Sequence, residues 1–125
     1  MLEAYSLNIT VPADSIIPFN NVTLQKGCTA VLSGNSTIQL NKCGVYMVEV
    51  DASAASAATI QLFKDGVAQA QAQSTGTSPS FTTLVQVTEN NSCCPCSSPT
   101  TLQVKNTGTS AATFTNANIV ITKVV

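Results

Sequence analysis

The chain has no histidine, no arginine and no tryptophan, and only 9% of its 125 residues are charged. Each absence removes a class of function. Without histidine there is no Ser-His-Asp or Cys-His nucleophile pair, no imidazole metal ligand and no general base of the commonest kind. Without tryptophan the strongest sugar-stacking side chain of a glycoside hydrolase is missing. The carboxylates Glu3, Asp14, Glu49, Asp51, Asp65 and Glu89 are scattered, and only Glu49 and Asp51 share a strand face. A hydrolytic pair flanks its substrate across a cleft, which two neighbours on one strand do not do by themselves. The expectation is a protein that is not an enzyme and that carries no cofactor.

Charge is equally sparse. Five lysines against six carboxylates give a net charge of −1. That offers no basic footprint for a phosphate backbone, so nucleic acid is not an expected partner. The apolar residues, 44% of the chain, are interleaved with Thr, Ser and Gln. No run approaches the roughly 20 residues that cross a bilayer, so no membrane partner is expected. The first residues lack the basic opening, continuous apolar stretch and cleavage site of a signal peptide. The expectation is a soluble protein made in the cytoplasm.

What is present is β-branched and aromatic alternation broken by turn residues, in a length that fits one domain. Residues 2–11 alternate loosely and stop at Pro12. Residues 16–19 read as an extended, edge-compatible piece, because Pro18 cannot donate to a ladder. Both are expected to wrap the rim. Residues 29–33 and 37–40 flank Gly34-Asn35 and predict a tight hairpin. Cys28 and Cys43 lie just outside its arms, where a cross-strand disulfide and simple packing of two thiols are both open. Cytosolic synthesis favours the thiols.

Residues 44–50 give the clearest strand, with Tyr46, Val48 and Val50 on one face and Val45, Met47 and Glu49 on the other. Two largely apolar faces on one strand suggest that the second meets another subunit or a covering segment. Residues 52–58 read as a loop of small residues. Residues 59–63 and 67–73 flank Asp65-Gly66 and predict a second hairpin. Residues 74–80 are a loop by composition, and 81–88 return as a strand with Phe81, Val85 and Val87 on one side.

The cysteine-bearing stretch 89–99 reads as a further loop. Cys93-Cys94-Pro95-Cys96 lacks the paired knuckles of a structural zinc site and opens no helix in a βαβ setting. An ordinary or disulfide-bonded loop is expected there, with no metal. Residues 100–108 and 114–123 predict two apolar strands joined by an Asn-Thr-Gly-Thr-Ser turn, so that the chain ends inside a sheet. Short strands at regular spacing predict an all-β, single-domain sandwich or jelly roll.

The pieces Gly44-Val45-Tyr46-Met47-Val48, Leu62-Phe63-Lys64-Asp65-Gly66-Val67, Cys93-Cys94, Pro99 to Gly108 and Ala112 to Lys123 carry a resemblance. The chain resembles the trimeric jelly-roll domain that follows collagen-like stalks in bacterial surface proteins, such as bacillar spore-surface glycoproteins. That family is similar in fold to complement globular heads and tumour necrosis factor. The module also recurs in tailed-phage structural proteins, including head fibres and capsid decorations. The resemblance spans about residues 14–124. No Gly-X-Y triplets precede it, and residues 1–13 stand where a collagen stalk would join.

The resemblance implies a TNF-like homotrimer packed around a threefold axis, with Val45, Tyr46, Met47 and Phe114 as trimer-interface candidates. It implies a structural virion protein: a head fibre or capsid decoration protein of a tailed bacteriophage, made in the host cytoplasm and displayed on the capsid exterior. Its partners would be its own copies, phage capsid proteins and host-surface glycan. Residues 1–13 would be an anchor or rim strand, with Leu2, Tyr5 and Leu7 as capsid-anchor candidates, and 14–125 the jelly-roll domain. A second reading is a receptor- or carbohydrate-binding adhesin domain of a bacterial surface protein.

Overall fold

A computed structural model of the chain describes residues 1–88 and 99–125. Among these are eleven strands. The first six are β1 (Leu2–Val11), β2 (Ser15–Ile16), β3 (Asn21–Gln25), β4 (Ala30–Ser33), β5 (Thr37–Leu40) and β6 (Gly44–Ala54). The remaining five are β7 (Ala58–Lys64), β8 (Val67–Gly76), β9 (Ser80–Val87), β10 (Thr100–Asn106) and β11 (Ala112–Lys123). One sheet has the order β3-β1-β11-β6-β9. The other has the order β4-β5-β10-β7-β8, with the short β2 paired to β10 as its sixth strand.

The alternation read from the sequence is what lets the two sheets face each other. Tyr46, Val48 and Val50 of β6 are buried, as are Phe114, Ile119 and Ile121 of β11. They meet Ile60 and Leu62 of β7 and Leu102 and Val104 of β10 in one core. Tyr46 is completely covered, and its hydroxyl donates to Lys42 O at 2.6 Å, so its polar tip is not stranded. The Asp65-Gly66 turn has φ of 50° and 81°, the two positive values that a type I′ hairpin needs. The 30–33/37–40 hairpin is also formed, with Ser33 opposite Thr37.

Several expectations are corrected. Residues 1–13 are neither an anchor separable from a domain at 14–125 nor a rim strand. β1 runs between β3 and β11 and pairs along nearly its whole length with β11, from Leu2↔Ile121 to Val11↔Ala112. Leu2 is fully buried, which removes it as an anchor candidate. The 16–19 segment is not rim either: Ile17 and Phe19 are each 1% exposed, and the Ile17 N–H donates to Val104 O at 2.7 Å. The stretch 52–58 is mostly strand, with Ala52 and Ala58 buried and only 55–57 connecting β6 to β7. β8 extends through Gly76, into the segment expected to be loop.

β10 and β11 are consecutive yet lie in opposite sheets, so their connection crosses the end of the sandwich. The chain does end inside a sheet, because β11 is flanked by β1 and β6.

Neither of the two open readings holds for both Cys28 and Cys43: Cys28 is an exposed free thiol, whereas Cys43, half-buried, is not the free thiol favoured for it but is disulfide-bonded, and not to Cys28. The stretch 89–98, with Cys93, Cys94 and Cys96, also lies outside them.

Ser6 shows how the 17–20 segment is held. Its hydroxyl, fully buried, donates to Pro18 O at 2.7 Å and accepts from the Asn20 N–H at 2.8 Å. The serine thereby satisfies a carbonyl and an N–H on either side of Phe19. Ser6→Ala leaves both backbone groups without this partner and is expected to cost about 2 kcal/mol in urea unfolding.

Candidate functional site

The outward face of the five-stranded sheet carries the most unusual surface. On β6, Val45, Met47, Glu49 and Asp51 alternate with the buried set and so point away from the core. Register places Leu84 of β9 opposite Met47, and Thr122 of β11 on its other side. Leu84 is 62% exposed, while Val45 and Met47 are half-buried. These three side chains form an apolar patch toward the β9 edge. A second patch stands toward the opposite edge, where Tyr5 and Leu7 project from β1 and Leu24 from β3. Leu7 is 52% and Leu24 41% exposed.

Between the patches the face is polar. Glu49, Asp51, Asn116 and Asn118 occupy the middle rows, with Val120 between Glu49 and Glu3; Glu3 itself stands on β1 beside Tyr5 and directly opposite Leu24. Glu3, Tyr5, Asp51, Ser53, Asn116 and Asn118 help line a depression of about 290 Å³ there. The Glu3 carboxylate accepts from the Thr23 hydroxyl at 3.0 Å. Glu49 and Asp51 share this face side by side, as the sequence predicts, rather than across a cleft. Among the described residues no group of three His, Cys, Asp or Glu is placed to hold a metal ion.

The structure divides the four trimer-interface candidates. Tyr46 and Phe114 are fully buried inside the subunit and have no surface left to offer a neighbour; they are core residues. Val45 and Met47 remain on the outward face. Of the anchor candidates, Tyr5 and Leu7 join the second patch. Leu84 was missed by sequence reading, although the signal was there: it is the large aliphatic residue out of phase with Phe81, Val85 and Val87.

A different polar cluster fixes the end of the sandwich where β10 hands over to β11. Asn106 is 1% exposed, and its amide donates to Val11 O at 3.0 Å, Pro12 O at 3.4 Å and Ser110 O at 3.1 Å. Its Oδ1 accepts the Gly108 N–H at 3.0 Å, an Asx turn. One side chain therefore ties the crossing loop to the end of β1.

No protein family model matches the chain, and no curated protein sequence does. Solved structures do. The globular domain of zebrafish complement 1qA protein superposes with a TM-score of 0.70 at 8% identity, covering 99% of this chain and 96% of that one. The vertex protein P5 of PRD1, a phage, gives a TM-score of 0.66 at 12% identity over 99% and 96%. Rabbit GITRL gives 0.59 at 9% identity over 100% and 95%. Identities this low establish architecture alone. The chain has the two-sheet jelly-roll fold shared by complement globular heads and TNF-like ligands.

Proposed function

We propose that this chain is a homotrimeric structural protein without catalytic activity, a head fibre or capsid decoration protein of a tailed bacteriophage. The observation that carries the reading is the pair of apolar patches on one sheet face. A closed ring is built from heterologous contacts, in which two different patches of each subunit meet. The Val45–Met47–Leu84 patch of one subunit packs on the Tyr5–Leu7–Leu24 patch of the next, and the polar rows between them turn toward the threefold axis. Edge strands β9 and β3 are then covered, which removes the hazard of open ladder groups.

The similarity to the PRD1 vertex protein supports the virion assignment, and the complement and GITRL similarities support a binding or assembly role. Attachment rests on multivalency: weak contacts repeated by trimer and capsid symmetry add to high avidity. Because residues 1–13 are built into the sheet, the anchor is a surface of the folded trimer. The test is immunogold electron microscopy of particles released from cells carrying this reading frame. Label on capsids is expected. Label confined to the bacterial surface overturns the reading in favour of an adhesin.

A further inference from the structure

The two ends of the sandwich differ in charge and in exposed apolar surface. At one end β1 starts and β11 stops, residues 26–29 join β3 to β4, residues 41–43 join β5 to β6, and the Asp65-Gly66 turn joins β7 to β8. Four of the five lysines stand there: Lys26, Lys42, Lys64 and Lys123. The Lys64 ammonium donates to Gln86 O and that of Lys123 to Val125 O, each at 2.7 Å, whereas Lys26 and Lys42 stand exposed in connections. Two side-chain carboxylates lie toward the same end, and both are engaged: Asp65 Oδ1 accepts the Thr101 N–H at 2.9 Å, and the Glu3 carboxylate accepts from Thr23. Glu89 follows β9 at this end but, with the rest of 89–98, is outside the described residues. The opposite end reverses the balance. Asp14, whose N–H donates to Asn106 O, and Asp51, level with the first residue of β9, stand there against the single Lys105.

Exposed apolar side chains follow the lysines. Met1, Val67, Val124 and Val125 are 42%, 63%, 49% and 78% exposed, and all four are at the basic end. Among the described residues, the connections at the opposite end hold no large exposed hydrophobic side chain. A depression of about 470 Å³ also opens at the basic end, between Gly44 and Val45 of β6, Val87 and Val125.

We propose that this basic, partly apolar end is the surface by which the trimer docks onto an acidic patch of the capsid. The inference rests on the virion reading above and names the surface that makes the attachment. Charge complementarity selects the partner and the orientation: the lysines are drawn to a carboxylate-bearing protein surface, while the end with Asp14 and Asp51 is not, so the trimer lands one way up. The exposed valines supply apolar contact that water can leave, and Lys26 and Lys42 supply the charged rim around it. A ring closed about an axis that runs with the strands brings three such ends together, so a contact that is weak in one copy is repeated in three. A lipid surface fits less well, because no exposed aromatic ring accompanies the lysines and two of the four ammonium groups are bound to backbone carbonyls. A phosphate backbone would meet no arginine and only two exposed connection lysines per copy.

The experiment mixes the full chain with capsids purified from phage deleted for this reading frame and pellets them, with liposomes rich in anionic lipid in a parallel arm. Co-sedimentation with capsids is expected, weakening as salt rises from about 0.05 M to about 0.5 M. Lys26→Glu combined with Lys42→Glu is expected to weaken it by about tenfold or more, and Val67→Asp to weaken it as well. Lys105→Glu makes the same change of charge toward the other end and is expected to leave binding unaltered. All four positions are at the surface, and sedimentation of each variant alone checks that it is still a trimer. Undiminished binding by the double variant, an equal loss with Lys105→Glu, or binding to liposomes in preference to capsids overturns the proposal. Capsids that hold the unaltered chain and the double variant alike sink only this inference, whereas capsids that ignore the unaltered trimer sink the virion reading with it.

Discussion

Asn106→Leu is expected to be the most damaging single substitution in the chain, lowering stability by about 4 kcal/mol and Tm by roughly 15 °C. The side chain is 1% exposed and takes part in four hydrogen bonds, three as donor and one as acceptor. Leucine has nearly the same size, so the loss is one of bonding rather than volume. Val11 O, Ser110 O and the Gly108 N–H lose their partner together, and each group left unsatisfied costs on the order of 1–3 kcal/mol. The crossing from one sheet to the other also loses its Asx turn. Thr109→Ala in the same loop is the control: Thr109 is exposed, and its replacement is expected to change stability by no more than about 0.5 kcal/mol. Thermal and urea melts of both variants decide the matter. An Asn106→Leu protein as stable as its parent would show that the loop is held by something else.

Leu84→Asp is expected to do the opposite, leaving the fold intact while abolishing assembly. In the isolated subunit the side chain is 62% exposed, so the subunit should lose no more than about 0.5 kcal/mol. In the proposed trimer the same position is buried against Tyr5 and Leu7 of the neighbour. A carboxylate there is desolvated, and it also faces a surface that already carries Glu3, Glu49 and Asp51. Losing an apolar anchor costs at least about 2 kcal/mol per contact. A threefold ring repeats that loss three times, so the trimer should dissociate at micromolar concentration. Unchanged circular dichroism with a reduced mass is the expected outcome. Val67→Asp provides the contrast: Val67 is 63% exposed but sits on β8 of the other sheet, and this change should leave the mass alone.

Much of the fold was legible because period-two alternation is written plainly in the central strands. β6, β9 and β10 each bury every second residue, and the turns at Gly34 and Asp65-Gly66 carry residues suited to positive φ. The misreadings share a cause. Residues 16–19 contain Pro18, which marks an edge when only backbone donors are counted. The compensating bonds come from Ser6, a residue twelve positions earlier that no local pattern connects to it. β1 reads as rim because its alternation is loose and stops at Pro12; the looseness is a slip at Asn8, where φ is 52°, after which Ile9 returns to the core side.

The candidate site was half legible. Val45 and Met47 were visible as a second apolar face, but the partition of Tyr46 and Phe114 into the core depends on which sheet lies opposite. Leu84 and Leu7 become a site only when cross-strand register places them on the same face as Met47 and Tyr5. Gln61, Phe63, Gln103 and Lys105 likewise come from two strands far apart in the chain and meet only through the β7–β10 register. The favoured reading of two free thiols holds for Cys28 and fails for Cys43, because position beside one hairpin says nothing about which distant thiol can reach a cysteine.

Sedimentation equilibrium of the full chain at micromolar concentration, beside Leu84→Asp, addresses the assembly claim most directly. Three copies of the 12.9 kDa subunit, about 39 kDa, are expected for the unaltered protein, and one copy for the variant. A monomeric mass for the unaltered protein, or a trimer that survives Leu84→Asp, would contradict the account.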